Sequence, residues 1–186
     1  MNVQLDLLRH GETERGGGFR GSLDDALTPA GWAQMRTAIA DTGPWDRLVS
    51  SPLLRCADFA RALAAETGVP LHLEVDLREL HFGAWEGHSA AELMETEADA
   101  LGRFWADPYA FTPPDGEALE AFEARVLTAV QRLARQFAGE RLLVITHGGV
   151  MRLLLARARG LERRALLSVD VEHGSLHRLE WPCEAA

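Results

Sequence analysis

Four side chains in this sequence are suited to holding and attacking an anion. Arg9 and His10 are adjacent and followed by Gly11; His147 is followed by Gly148 and Gly149; Arg55 lies between them in the chain. Arginine offers a planar, permanently charged fork that fits phosphate oxygens. Imidazole can attack or carry a proton near neutral pH. Gly11, Gly148 and Gly149 let backbone N–H groups approach a ligand closely, and a helix starting after His147 would point its positive end inward. A lone histidine after a strand is more often a satisfied polar residue than a catalyst. Two histidines and two arginines, each with glycine or serine nearby, predict a phosphoryl pocket with histidine chemistry at its centre.

Alternating elements must bring these residues together. Val3–Leu8 is apolar and β-prone and stops at Arg9-His10-Gly11. Thr28 followed by Pro29 reads as a helix cap and first turn, with Trp32, Met35 and Ile39 on the buried face. Arg47–Ser50 reads as a short strand, and a helix from Pro52 to about Thr67 carries Arg55 and ends at Gly68 and Pro70. Leu71–Val75 alternates like a strand. From Glu79 to Pro114 the pattern is irregular, with a capping box over Ser89–Glu92. Asp115-Gly116 should open a long amphipathic helix to about Phe137, with Phe122, Val126, Val130 and Leu133 in its stripe. Arg141–Thr146 is a buried-type strand ending at His147, and a helix to about Arg159 follows. Leu166–Val171 and Leu176–Glu180 read as closing strands around a His173-Gly174 turn. The alternation predicts an α/β fold with a mainly parallel sheet and helices on both faces. Ligands in such sheets bind beyond the carboxyl ends of the strands, where Arg9, His10, Arg55 and His147 stand.

Composition narrows the function. The chain has 186 residues, 47% hydrophobic and 25% charged, which suits one domain with a sizeable core. All 19 basic residues are arginine, so a Schiff-base lysine, a P-loop lysine and a Ser–Lys pair are excluded. A net charge of −9 argues against nucleic acid as partner. The longest apolar runs, such as Leu142–Ile145, are far too short to span a membrane. Met1 leads straight into a strand-like segment without a secretory signal, and a cytoplasmic protein is expected. Cys56 and Cys183 suggest no disulfide framework and cannot make a four-thiolate metal site. The segment Gly16–Gly21 satisfies GxGxxG but does not join a strand to a helix, so it is read as a loop wrapping the pocket. His10-Gly11-Glu12 lacks the cysteine pair of a zinc deaminase. Arg157, Arg159, Arg163 and Arg164 read as a solvated helix end.

Leu8-Arg9-His10-Gly11-Glu12-Thr13 resembles the signature of the histidine phosphatase superfamily, which includes cofactor-dependent phosphoglycerate mutases. The likeness continues in order through Leu27–Gly31, Ser50–Ala57, Arg78-Glu79 with Phe82–Gly87, and Thr146–Arg152. It implies a three-layer α/β/α sandwich over residues 1–186, with a lid-like segment at about 80–115. It also implies that His10 is the nucleophile, that Arg9, Arg55 and His147 neutralise phosphoryl oxygens, and that Glu79 donates and accepts the proton. No metal or other cofactor is implied, because the arginines take a cation's part. His10 must present an unprotonated ring nitrogen, so its other nitrogen is expected to donate to a backbone carbonyl. Thr13 and Ser51 could equally contact phosphate or cap turns, and Gly21 and Gly148 belong to the candidate phosphate-binding backbone.

Two features depart from the family. Gly16 stands where many members have a phosphate-binding asparagine, for which Arg20 or Ser22 could substitute. Pro114–Ala118 lacks the hydroxyl of the common Pro-Gly-Gly-Glu-Ser stretch. Between Arg78 and Arg125 only Arg103 is basic, which suits a phosphatase better than a mutase acting on a small glycerate. Phe82, Trp85, Phe104, Trp105, Tyr109 and Phe111 could stack on a substrate base or could pack only with each other. The stretch from His10 to Met35 is most similar to cobalamin-pathway phosphatases that act on α-ribazole 5′-phosphate or its cobamide. A broad-specificity phosphatase or a protein phosphohistidine phosphatase would share every catalytic residue, and a non-catalytic phospholigand-binding module would usually have lost His10 or Glu79. The expected partner is a small phosphomonoester, with monomer and homodimer both open.

Overall fold

The computed structural model describes residues 2–183. Its strands are β1 (Asn2–Arg9), β2 (Arg47–Ser50), β3 (Leu71–Leu73), β4 (Arg141–Thr146) and β5 (Leu176–Pro182), in the spatial order β3-β2-β4-β1-β5. The first four are parallel, and β5 closes one edge antiparallel to β1. The helices are α1 (Pro29–Ile39), α2 (Leu54–Thr67), α3 (Ala90–Thr96), α4 (Ala98–Ala106), α5 (Leu119–Gln136) and α6 (Gly148–Ala158).

Strand alternation sorts the core into two layers. Leu8, Leu48, Leu143 and Ile145 meet α1 and α2 through Met35, Phe59 and Leu63. Leu5, Leu7, Leu142 and Val144 point the other way and meet α5 and α6 through Val126, Leu133, Val150 and Leu154. Each such side chain contributes roughly 1.5–3 kcal/mol on full burial. The three-layer α/β/α architecture is the expected one. Asp6, buried in β1, is compensated by Trp45 Nε1 at 2.8 Å and Arg141 Nη2 at 2.7 Å.

Three local expectations change. Leu166–Val171 is not a strand: Arg163–Ser168 forms a 3₁₀ turn. No strand pairs with the outer edge of β5 among the described residues, and Leu166, Val169 and Val171 instead join the core on the α6 side. The long helix starts at Leu119 rather than at Asp115-Gly116. Residues 114–117 spend backbone groups on the 81–84 segment, through Ala84 N–H to Pro114 and Glu117 N–H to His81. Finally, β3 ends at Leu73, and Glu74 caps a 3₁₀ turn over Val75–Leu77.

Candidate active site

The register of the sheet brings the two histidines together. Arg9 pairs with Thr146 across β1 and β4, and the His10 N–H donates to the Thr146 carbonyl at 3.0 Å. His10 and His147 are each one residue past these paired ends, with ring centroids 5.3 Å apart. From here the chain passes to α1 on one face and to α6 on the other. That divergence opens a crevice at the strand ends.

The loop after β1 is clamped onto α1. A β-carbon on Gly11 would collide with the Gly31 carbonyl, and one on Gly31 with the Glu12 carbonyl. Thr28 accepts from the Gly31 N–H at 3.0 Å, so the helix cap and the loop are fixed together. This explains why glycines stand in both motifs.

Hydrogen bonds assign the ring tautomers. His10 Nδ1 donates to the Gly11 carbonyl at 2.8 Å, which leaves Nε2 as the lone-pair nitrogen. Burial, aided by the Arg55 and Arg9 charges, holds this imidazole well below its ordinary pKa of 6.5. His147 is fully buried. Its Nδ1 accepts from Arg55 Nε at 3.3 Å, and its Nε2–H donates to Ser51 Oγ at 2.8 Å. Burial and the Arg55 charge keep it neutral in the same way.

The remaining groups are held by backbone. Arg55, in the first turn of α2, donates to Leu23 O at 2.7 Å and Gly21 O at 2.9 Å. Arg9 donates to Val171 O at 2.6 Å and to His173 Nε2 at 3.1 Å. Glu79 accepts from Leu80 N–H at 2.9 Å and from Gly149 N–H, at the start of α6, at 3.0 Å. Arg125 on α5 donates to the Asp76, Arg78 and Glu79 carbonyls, strapping the Glu79 segment in place.

A cavity of about 520 Å³ lies over this cluster, with Arg9, His10, Thr13, Arg20 and Glu79 on its wall. Gly16–Phe19 form one side, so the glycine loop does wrap the pocket. Phe82, Phe104, Trp105 and Leu166 give it an apolar side. Arg55 and His147 are fully buried and do not line the cavity. Gly148 packs against the Arg9 guanidinium, and Gly149 is the wall residue. Ser22 does not reach the wall: it is exposed, and its N–H donates to Glu86. Gly21 serves instead as an acceptor for Arg55. Arg20 reaches the wall, but its Nη2 already donates to the Arg15 carbonyl at 2.7 Å.

Sequence reasoning missed two polar wall residues, Arg152 and His173. Arg152 lies one helical turn beyond Gly148 on α6, a spacing that could have found it. His173 follows an irregular segment and carried no such signal; its ring centroid is 5.4 Å from that of His10. The segment at 83–111 is packed largely on itself. Trp85 is fully buried, stacked on Phe111 and edge-on to Phe104, while Trp105 is 48% exposed.

Residues 5–185 match the family model of the histidine phosphatase superfamily (branch 1). The chain is 32% identical over 176 residues to an adenosylcobalamin/alpha-ribazole phosphatase of Salmonella typhimurium, covering 92% of this chain and 87% of that one. It is also 32% identical over 181 residues to a metal-independent phosphoserine phosphatase of Arabidopsis thaliana, covering 92% and 76%. The alpha-ribazole phosphatase structure from Shigella flexneri superimposes with a TM-score of 0.80 at 29% identity, covering 94% and 89% of the two chains. The chain belongs to the histidine phosphatase superfamily, as a hydrolase of phosphoric monoesters.

Proposed function

We propose that the protein removes phosphate from α-ribazole 5′-phosphate or its cobamide through a phosphohistidine on His10. The observation that carries the mechanism is the His10–Gly11 hydrogen bond at 2.8 Å, which leaves a neutral nitrogen available beside Arg9 and Glu79. His10 Nε2 attacks phosphorus in line as the P–O ester bond breaks, and Glu79 gives its proton to the leaving alkoxide. Glu79 then takes a proton from water, whose oxygen displaces the histidine and releases inorganic phosphate. Arg9, Arg55 and His147 offset the charge on the transferring group.

The substrate assignment draws on the names of the relatives and on the cavity. An apolar side bearing the half-exposed Trp105 suits a flat, uncharged base, and residues at about 80–115 act as the lid that carries it. The one basic lid residue, Arg103, lies over the Phe111 ring at 4.8 Å, an arrangement ill suited to a small glycerate. A cytoplasmic location accords with free, buried thiols at Cys56 and Cys183.

Phosphate release in EDTA from α-ribazole 5′-phosphate, phosphoserine, AMP, 3-phosphoglycerate and p-nitrophenyl phosphate tests the proposal. A kcat/KM for the α-ribazole ester that dominates the panel is the expected result. Flat, slow hydrolysis would remove the substrate assignment but keep the chemistry; no hydrolysis would remove both.

A further inference from the structure

Asp25 takes no part in the mechanism above, yet it is buried as deeply as His10. Its side chain is 2% exposed, and neither carboxylate oxygen accepts a hydrogen bond among the described residues. A buried carboxylate is unfavourable unless charge opposes it. Two guanidiniums supply that charge: Arg20 Nε is 3.6 Å from one oxygen, and Arg55 Nη1 is 3.7 Å from the other. Arg20 Nε is itself buried without a hydrogen-bond partner, so its compensation at that end is also ionic.

The far end of Arg20 leads to the cavity wall. Its Nη2 donates to the Arg15 carbonyl at 2.7 Å and to the Gly17 carbonyl at 3.3 Å. Gly16–Gly18 have no side chains with which to anchor themselves, and Gly16 and Gly18 adopt left-handed φ values of 70° and 121°. Such a run loses more conformational freedom on ordering than any other. Backbone bonds fix only its margins, from Gly16 N–H to Thr13 and from Phe19 N–H to His88. Arg20 is the strut between those margins, and Asp25 is the counter-charge that sets its direction.

We propose that Asp25 is a positioning residue, which by opposing both Arg20 and Arg55 holds the Arg20 guanidinium under the Gly16–Gly18 wall of the cavity. The geometry of the wall stands without the function proposed above; only the consequence for substrate retention rests on it. Asp25 orders a surface the substrate meets and touches no reacting atom.

Arg15 is an exposed tryptic site at the start of this wall, so proteolysis reads its order without any substrate. In Asp25→Asn and in Arg20→Gln, cleavage after Arg15 should accelerate roughly tenfold, the scale of coupling between contacting groups. The double variant should be cut no faster than either single one, because both act through the same strut. Far-UV circular dichroism confirms that each variant is folded. In Asp25→Asn the KM for p-nitrophenyl phosphate should rise by about fivefold to tenfold with kcat within about twofold. Unchanged cleavage in folded variants, or additive acceleration in the double one, would overturn the proposal. So would a loss confined to kcat. Should Asp25→Asn fail to fold, Arg20→Gln alone decides: wild-type cleavage after Arg15 in that variant refutes the strut. A failed substrate panel leaves the proteolysis result standing.

Discussion

The Glu79 carboxylate rests against Gly149 so closely that no β-carbon fits between them. Glu79 Oε2 accepts the Gly149 N–H at 3.0 Å, and a side chain at 149 would strike Oε1. The carboxylate is therefore fixed in position against the first turn of α6.

Gly149→Ala should displace Glu79 without unfolding the protein. General acid catalysis is worth about 10²–10⁴-fold. Turnover of an alkyl phosphate should fall by about 10²-fold, and that of p-nitrophenyl phosphate, whose leaving group needs little protonation, by less than about tenfold. Parallel losses on the two substrates would argue against Glu79 as the acid.

His10 and His147 tie both activity and stability to pH. Each is held well below 6.5, chiefly by burial and then by Arg55. The acid limb of kcat/KM should lie well below pH 6.5. Below 6.5 the unfolded chain binds protons that the folded one does not, so the stability these residues contribute is complete above 6.5 and declines as pH falls beneath it. Thermal melts from pH 7 to 5 should show a falling Tm, with a shallower slope in His147→Gln. An identical slope in that variant would exclude His147 as a contributor.

Covalent chemistry on His10 has its own readout. Rapid mixing with ³²P-labelled substrate, followed by alkaline denaturation, should trap about one acid-labile phosphate per chain, and none in His10→Ala. Substantial turnover by His10→Ala would end its role as nucleophile.

Arg125 strains no geometry but secures much of it. It reaches three carbonyls of the Glu79 segment and pairs with Glu117 at 2.7 Å. Arg125→Met keeps an aliphatic stem but removes the guanidinium that lies over Phe122 and orphans these acceptors. A loss of about 2–4 kcal/mol in urea unfolding is expected. A loss under about 0.5 kcal/mol, the range of an ordinary surface change, would show that water replaces the strap.

Legibility followed the range of the interaction. His10, Arg55 and His147 were readable because strand ends, glycines and a helix start announce themselves over a few residues. The false strand at 166–171 shows the limit: its alternation was real, but Leu166, Val169 and Val171 are spent on the core of the α6 side rather than on a strand beside β5. The delayed start of α5 has the same origin in long-range backbone pairing. Asp25 was opaque for another reason. A carboxylate between a loop and a helix cap looks like solvent-facing punctuation until Arg20 and Arg55 are seen to converge on it.

The pairing of Arg9 with Thr146 has a consequence for how such a protein can change. Because His10 and His147 continue two hydrogen-bonded strands, their spacing is a property of the ladder, and slipping it by one residue would shift one ring by about 3.3 Å and turn it to the opposite face. Segment 83–111 takes part in none of those ladders. Insertions and substitutions there can remodel what the cavity admits while the distance between the two imidazoles stays untouched. The paired strand ends and the segment that carries Phe104 and Trp105 thus occupy separately editable parts of one short chain.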